Sequence, residues 1–180
     1  MTPVQVRFSH CIGLPVVRED TLEQLGLVSG ILIDPDKGKI EGFFLTVEHF
    51  MHKEQRFLSI LDILRWSKRV YVRDEEALSP PEDLIRLQPL LHEPRTILGQ
   101  PIRTESGDSV GTCKDVQFTT NHFLVDWIFP RGWFRWGTPI SAHDIVEVRK
   151  DAIIIRDMSV PEKPAEEAAA SLIPPMPEAA

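Results

Sequence analysis

Cysteine is scarce in this sequence. Cys11 and Cys113 stand alone, 102 positions apart, with no metal-type or redox spacing around either. Isolated thiols of this kind read as reduced and part-buried, which sets aside a disulfide-stapled secreted scaffold. Long apolar runs are missing too: nothing approaches the roughly 18–20 residues that span a bilayer. Residues 1–6 show no basic segment leading into an apolar stretch, so no signal peptide is expected. Cationic excess is likewise absent, with Lys and Arg totalling 20 against 27 for Asp and Glu and a net charge of −7. That balance disfavours nucleic acid and leaves protein partners open. There is no Gly-rich phosphate loop, and no Ser or Cys has a recognisable base partner. Neither enzymatic activity nor a cofactor is expected. His49 and His52 lie three apart beside Glu48 and Glu54, a spacing that chance supplies often, and no metal site is expected there.

The chain says nearly the same thing twice. Ile12-Gly13-Leu14-Pro15-Val16 is echoed by Leu98-Gly99-Gln100-Pro101-Ile102, and Leu25-Gly26 by Val110-Gly111. Leu58-Ser59-Ile60-Leu61-Asp62-Ile63 returns as Ile140-Ser141-Ala142-His143-Asp144-Ile145, so the three offsets are 86, 85 and 82 residues. This period is too long for a solenoid unit and suits a small β-domain. Two tandem domains follow, at 1–76 and 97–157, with a connector at 77–96. Residues 158–180 carry Pro, Ala and Glu with few core formers, which predicts a disordered acidic tail. Domains of about 70 residues are marginal alone. The copies are therefore expected to lean on each other, each closing its own apolar interior.

Alternation of apolar residues predicts strands at 15–18, 25–33, 40–47, 56–58 and 69–73, with an extended lead-in at 4–8. The cluster Asp34-Pro35-Asp36-Lys37-Gly38 turns the second of these into the third. Residues 48–55 read as a polar loop. In the second copy, strands are expected at 100–103, 109–118, 122–129, 134–140, 144–148 and 152–156. The connector holds a proline break and a short helix from Pro81 with acids in its first turn. Its Leu84, Ile85, Leu87, Leu90 and Leu91 are too apolar for a free tether. Ser59 and Ser141, each followed three residues later by Asp62 and Asp144, fit an N-capped turn; the acids read as structural, not catalytic.

This order of landmarks resembles the PRC-barrel family, named for the cytoplasmic barrel of the H polypeptide of the photosynthetic reaction centre. The same family supplies the C-terminal domain of a ribosome maturation factor. The residues that carry the likeness are Gly13, Pro15, Gly26 and Asp34, then Gly99, Pro101 and Gly111. It covers 12–74 and 97–157; the second copy departs in having Thr119-Thr120 where the first has Asp34-Pro35. The resemblance implies an all-β chain of two small, partly open, six-stranded barrels with short helical turns and no active site. It further implies a non-catalytic adaptor or scaffold that binds another protein, cytoplasmic or peripheral to the inner membrane at the face of a membrane complex. Two alternatives accompany it: an H-like reaction-centre component supporting assembly and electron transfer, and a ribosome-maturation or RNA-processing factor.

One segment stands out as a candidate docking site. Residues 127–137 hold three of the four tryptophans, Trp127, Trp133 and Trp136, with Phe129, Phe134, Arg131 and Arg135. Alternation sends Trp127 and Phe129 to one face, expected in the core, and Ile128 to the other. Trp133, Phe134 and Trp136 cannot all be buried in so small a barrel. Three roles are open to them: capping the barrel or its seam, docking a partner, or resting at a lipid headgroup layer. Arg131, Trp133, Phe134, Arg135 and Trp136 are taken as the partner-binding set. A smaller basic cluster surrounds Trp66, where RNA stacking is the minority reading.

Overall fold

A computed structural model describes residues 4–49, 52–132 and 135–157. The expected tail at 158–180, together with Trp133 and Phe134, lies outside the described residues. Among those described, about half lie in strands, and the other regular elements are one short helix and 3-10 turns. In the first half the strands are β1 (Gln5–Arg7), β2 (Pro15–Arg18), β3 (Gln24–Asp34), β4 (Lys39–His49), β5 (His52–Ser59), β6 (Arg65–Trp66) and β7 (Val70–Val72). The connector adds β8 (Leu78–Ser79) and a one-turn helix at Gln88–Leu91. The second half contributes β9 (Pro101–Thr104), β10 (Ser109–Thr119), β11 (Leu124–Arg131), β12 (Ile140–Ser141), β13 (Ile145–Val148) and β14 (Ile153–Ile155).

Each half builds the same hydrogen-bond pattern. Gly13 N donates to Val28 O at 2.8 Å and Val28 N to Leu14 O at 3.0 Å. In the second half Gly99 N donates to Cys113 O at 2.7 Å and Cys113 N to Gln100 O at 2.8 Å. Both glycines sit at positive φ, +79° and +85°, a backbone that a side chain would strain. β2 lies antiparallel to β3 and parallel to β7; β9 lies antiparallel to β10 and parallel to β14. The Ser59 and Ser141 hydroxyls each accept from the amide two residues on, Leu61 and His143, at 3.3 Å, and open short 3-10 turns. The capped turns are as expected; in both, the bonded amide is one residue nearer than the capping box requires, so Asp62 and Asp144 simply follow in the turn.

The halves do not close separate interiors, and here the expectation is corrected. All the strands form one curled sheet, joined where the tips of the two long hairpins meet. Ile40 N donates to Phe123 O at 2.8 Å and Val125 N to Gly38 O at 2.9 Å, a reciprocal pair that relates one half to the other. Gly38 and Phe123 occupy matching turn positions with φ of +63° and +52°. The second half therefore places a phenylalanine where the first has glycine, and its ring enters the core. There Phe43 and Trp66 of the first half meet Phe118 and Phe123 of the second, with ring centroids 5.0–6.2 Å apart. Five of these pairs are tilted or edge-on and Phe118–Phe123 is stacked, geometries that add to the burial itself. Neither half supplies this aromatic layer alone.

The N-terminal lead-in is a second tie. β1 pairs with β10, setting Val6 opposite Phe118. Just beyond it the buried carboxylate of Asp115 accepts from Ser9 Oγ at 2.6 Å and Ser9 N at 3.0 Å. The expected polar loop at 48–55 is also corrected: β4 and β5 pair without interruption out to His49 opposite His52. Cross-strand bonding and the Glu48–Lys53 ion pair at 2.8 Å carry a ladder that hydrophobicity alone did not show. The connector docks as expected. β8 pairs with β5, Leu87 is buried, and Arg95 grips Asp36 at 2.6 and 3.0 Å while Glu93 draws its other side. Arg95 holds the Glu93 carboxyl down at about 2.

Candidate partner-binding face

β11 presents one residue of each pair to the core and the next to the outside. Ile128 is fully buried in the shared interior. Trp127 and Phe129 take the opposite face, where Phe129 is buried at 7% exposure, apart from the shared interior cluster, and Trp127 is exposed, so the expectation of a core position holds for Phe129 and is corrected for Trp127. The cause is that β10 contributes Val116 opposite Ile128 and Phe118 one step further, filling the inner layer. Phe129 is sheltered instead by Arg7 from β1, whose guanidinium carbon sits 3.6 Å from the ring centroid. Gln117 Nε2 donates to Gln5 Oε1 at 3.2 Å beside it, and Trp127 keeps 38% of its surface in water.

Beyond Phe129 the chain leaves the barrel as a narrow hairpin. Arg131 bridges to Trp136, Gly132 N donates to Arg135 O at 2.9 Å, and Gly137 N donates to Pro130 O at 2.8 Å. The base of this hairpin rests on Gly111: a Cβ there would lie 3.0 Å from Arg131 O, and its φ of +136° is strained for any side chain. Gly26 plays the equivalent part, where a Cβ would lie 3.2 Å from Thr46 O. The Arg131 guanidinium lies 5.5 Å from the Trp136 ring, and Trp136 remains 55% exposed. Arg131 and Arg135 are exposed with it. Capping or filling the seam, the first of the three roles, does not describe Trp136.

Residues 3–78 match the family model of the PRC-barrel domain. They are a PRC-barrel domain. A comparison with curated proteins found no match. The PRC-barrel segment runs from β1 to the start of β8, so one of its strands, β1, finds its partner outside it, in β10.

The family residues of the PRC barrel hold its turns. Gly13 and Pro15 open β2, Gly26 allows β3 to approach β4, and Asp34 folds the β3–β4 turn by accepting from Asp36 N at 2.9 Å and Lys37 N at 3.2 Å. Pro101 and Gly99 do the same for β9, and Ser59, Asp62, Ser141 and Asp144 belong to the capped turns described above. None of these meets Arg131, Arg135 or Trp136 except Gly111. Trp66 is corrected as a stacking surface: it is 5% exposed and packed among Phe43, Phe118 and Phe123.

Two features escaped the sequence. Asp115 is 2% exposed and also accepts from Val116 N at 2.9 Å, yet its main partner, Ser9, lies 106 positions away. No local pattern could have paired them. The second is the environment of the free thiols. Burial, with the Asp115 charge adding to it, pushes Cys11 up to about 12. Burial pushes Cys113 to about 12 as well, against two backbone hydrogen bonds that lower it. Neither thiol is poised to act as a nucleophile.

Proposed function

We propose that this chain is a non-catalytic docking module, with the Arg131–Trp136 hairpin as the face that receives a protein partner. The exposed Trp136 ring beside Arg131 carries the reading. Trp and Arg are the residue types that anchor interfaces, and a solvated tryptophan held by a bonded hairpin is ordered before its partner arrives. Of the buried carboxylates, Asp115 has its oxygens taken up by Ser9 and Val116, and Glu41 pairs with Lys39 at 3.0 Å. The partner is a component of a membrane complex approached from its cytoplasmic face, and residues 97–157 act as a related half that completes the shared interior. No helix among the described residues is long and apolar enough to cross a membrane, in keeping with attachment through a partner.

The test is affinity purification of the full chain from its native cells, beside Arg131→Ala/Trp136→Ala. A photo-crosslinker at position 135 identifies the chain in contact. The double variant should keep its thermal midpoint and lose the crosslinked partner at least tenfold. Retention of that partner by the folded variant refutes the assignment.

A further inference from the structure

A second surface, distinct from the Arg131–Trp136 face, lies on β6–β7 and the capped turn before it. Residues 60–73 carry Arg65, Lys68, Arg69 and Arg73 against Asp62; the acids Asp74, Glu75 and Glu76 follow past the end of β7, where Asp74 caps the next turn by accepting from Glu76 N. All four cations are exposed. Among the described residues, no carboxylate pairs with Arg65, Lys68, Arg69 or Arg73 in an ion pair. Val70 and Val72 point into the core at 0% exposure. Strand alternation therefore puts Arg69, Tyr71 and Arg73 together on the outer face, where the Arg65 guanidinium covers the Tyr71 ring at 3.8 Å. Beside them two leucines stand in water, Leu61 at 76% and Leu64 at 44% exposure. With about 3.3 Å per residue along a strand, the whole patch spans roughly 15 Å.

The fold does not require this. In the matching stretch of the second half, Asp144, Glu147 and Asp151 offset Arg149 and Lys150, and Arg149 Nε pairs with Glu147 at 2.7 Å. The same backbone thus carries mixed charge with one ion pair, Arg149–Glu147, in one half, and cations without an ion pair beside exposed leucines in the other.

We infer that the β6–β7 edge is a contact site for an anionic lipid surface, Lys68 and Arg69 meeting headgroups while Leu61 and Leu64 enter the interfacial layer. Charge complementarity selects an acidic counterpart, and the exposed leucines beside the cations favour a bilayer. RNA is less suited, since Trp66 is buried and the Tyr71 face is already covered by Arg65.

The full chain is mixed with sedimenting vesicles of phosphatidylcholine, alone or with 30 mol% phosphatidylglycerol (about a third of the lipid, to give a strongly anionic surface). Binding should appear only with the anionic lipid and weaken as salt rises. Each cation near such a surface contributes about fivefold in partitioning, so reversing both in Lys68→Glu/Arg69→Glu should lower it by more than about 25-fold. Leu61→Ser should lower it severalfold, while Arg149→Glu/Lys150→Glu and Trp136→Ala should leave it within twofold. Thermal unfolding confirms that each variant is folded; should the double reversal fail to fold, Lys68→Gln and Arg69→Gln singly, each lowering binding severalfold, serve instead. No preference for anionic vesicles overturns the inference. So does anionic binding that survives loss of Lys68 and Arg69, or that disappears in Trp136→Ala alone. Retention on immobilised poly-U or a polyglutamate peptide without vesicle binding overturns it in favour of those ligands. Loss of the crosslinked partner in Arg131→Ala/Trp136→Ala bears on the docking reading only.

Discussion

Phe118→Ala probes whether the halves share one interior. Phe118 belongs to β10, is fully buried, and lies 6.0 Å from both Phe43 and Trp66 across the boundary between halves. Removing a buried phenylalanine costs about 3–5 kcal/mol, of which about 0.5–1.5 kcal/mol belongs to aromatic pairing. With a urea dependence of about 2 kcal/mol per molar, the midpoint falls by about 1.5–2.5 M. The informative background keeps Trp66 as the sole tryptophan, with phenylalanine at 127, 133 and 136. Trp66 then reports the first half by fluorescence while circular dichroism reports all strands. The expected result is a single coincident transition, shifted for both probes although the substitution lies in the second half. If the Trp66 midpoint stays where it was while dichroism shows an early loss, the halves unfold separately and the shared-core argument fails.

Phe123 sits at positive φ where its counterpart is Gly38, so backbone strain and core burial oppose each other there. Phe123→Gly and Phe123→Ala should both destabilise the chain, but the glycine variant should be the more stable by about 1 kcal/mol because it relieves the left-handed strain; thermal melts in the reverse order would refute this. Asp115→Ala should cost about 2–3 kcal/mol by leaving Ser9 without its acceptor. Ser9→Ala/Asp115→Ala should then cost less than the two single changes added, and strict additivity in the double-mutant cycle would dismiss the clasp. The thiols of Cys11 and Cys113 hold their protons up to about 12 in the folded chain, against about 9 when free. Their contribution to stability is therefore whole below pH 9 and is lost as pH rises from there towards 12. Cys11→Ala/Cys113→Ala should flatten the fall of the urea midpoint across that range, and an unchanged slope would refute the assignment.

The features legible in the sequence were those fixed within a few residues. Pro15–Arg18 is a strand as read, because β-branched Val16 and Val17 are both buried between β3 and β7 and its proline stands at the first position of the strand. Gly13, Gly99 and the two capping serines were visible because a turn demands particular chemistry at particular spacing. Features fixed by distant partners were not visible. Phe129 and Phe118 look alike in sequence, yet Phe118 joins the shared interior while Phe129 is buried on the other face beneath Arg7, a cover supplied by β1 docked on β10. Glu48 and Lys53 read as loop because polar residues resemble irregular chain, whereas their ion pair across the β4–β5 ladder makes polarity compatible with a strand. Of the candidate face, the residue types drew attention, but the seating of the hairpin base, with Arg131 O 3.0 Å from where a Cβ of Gly111 would lie, depends on a glycine in another strand.

The pairing of β1 with β10 also sets a timetable for synthesis. Gln5 faces Thr119, so the first strand leaves the ribosome 114 residues before its neighbour. At about 5–20 residues per second that is an interval of roughly 6–23 s. From the emergence of Trp66 until Phe118 follows, Phe43 and Trp66 have only each other of the aromatic layer. A nascent chain stalled before Phe118 should accordingly offer its apolar edge to chaperones, and one released after residue 157 should not.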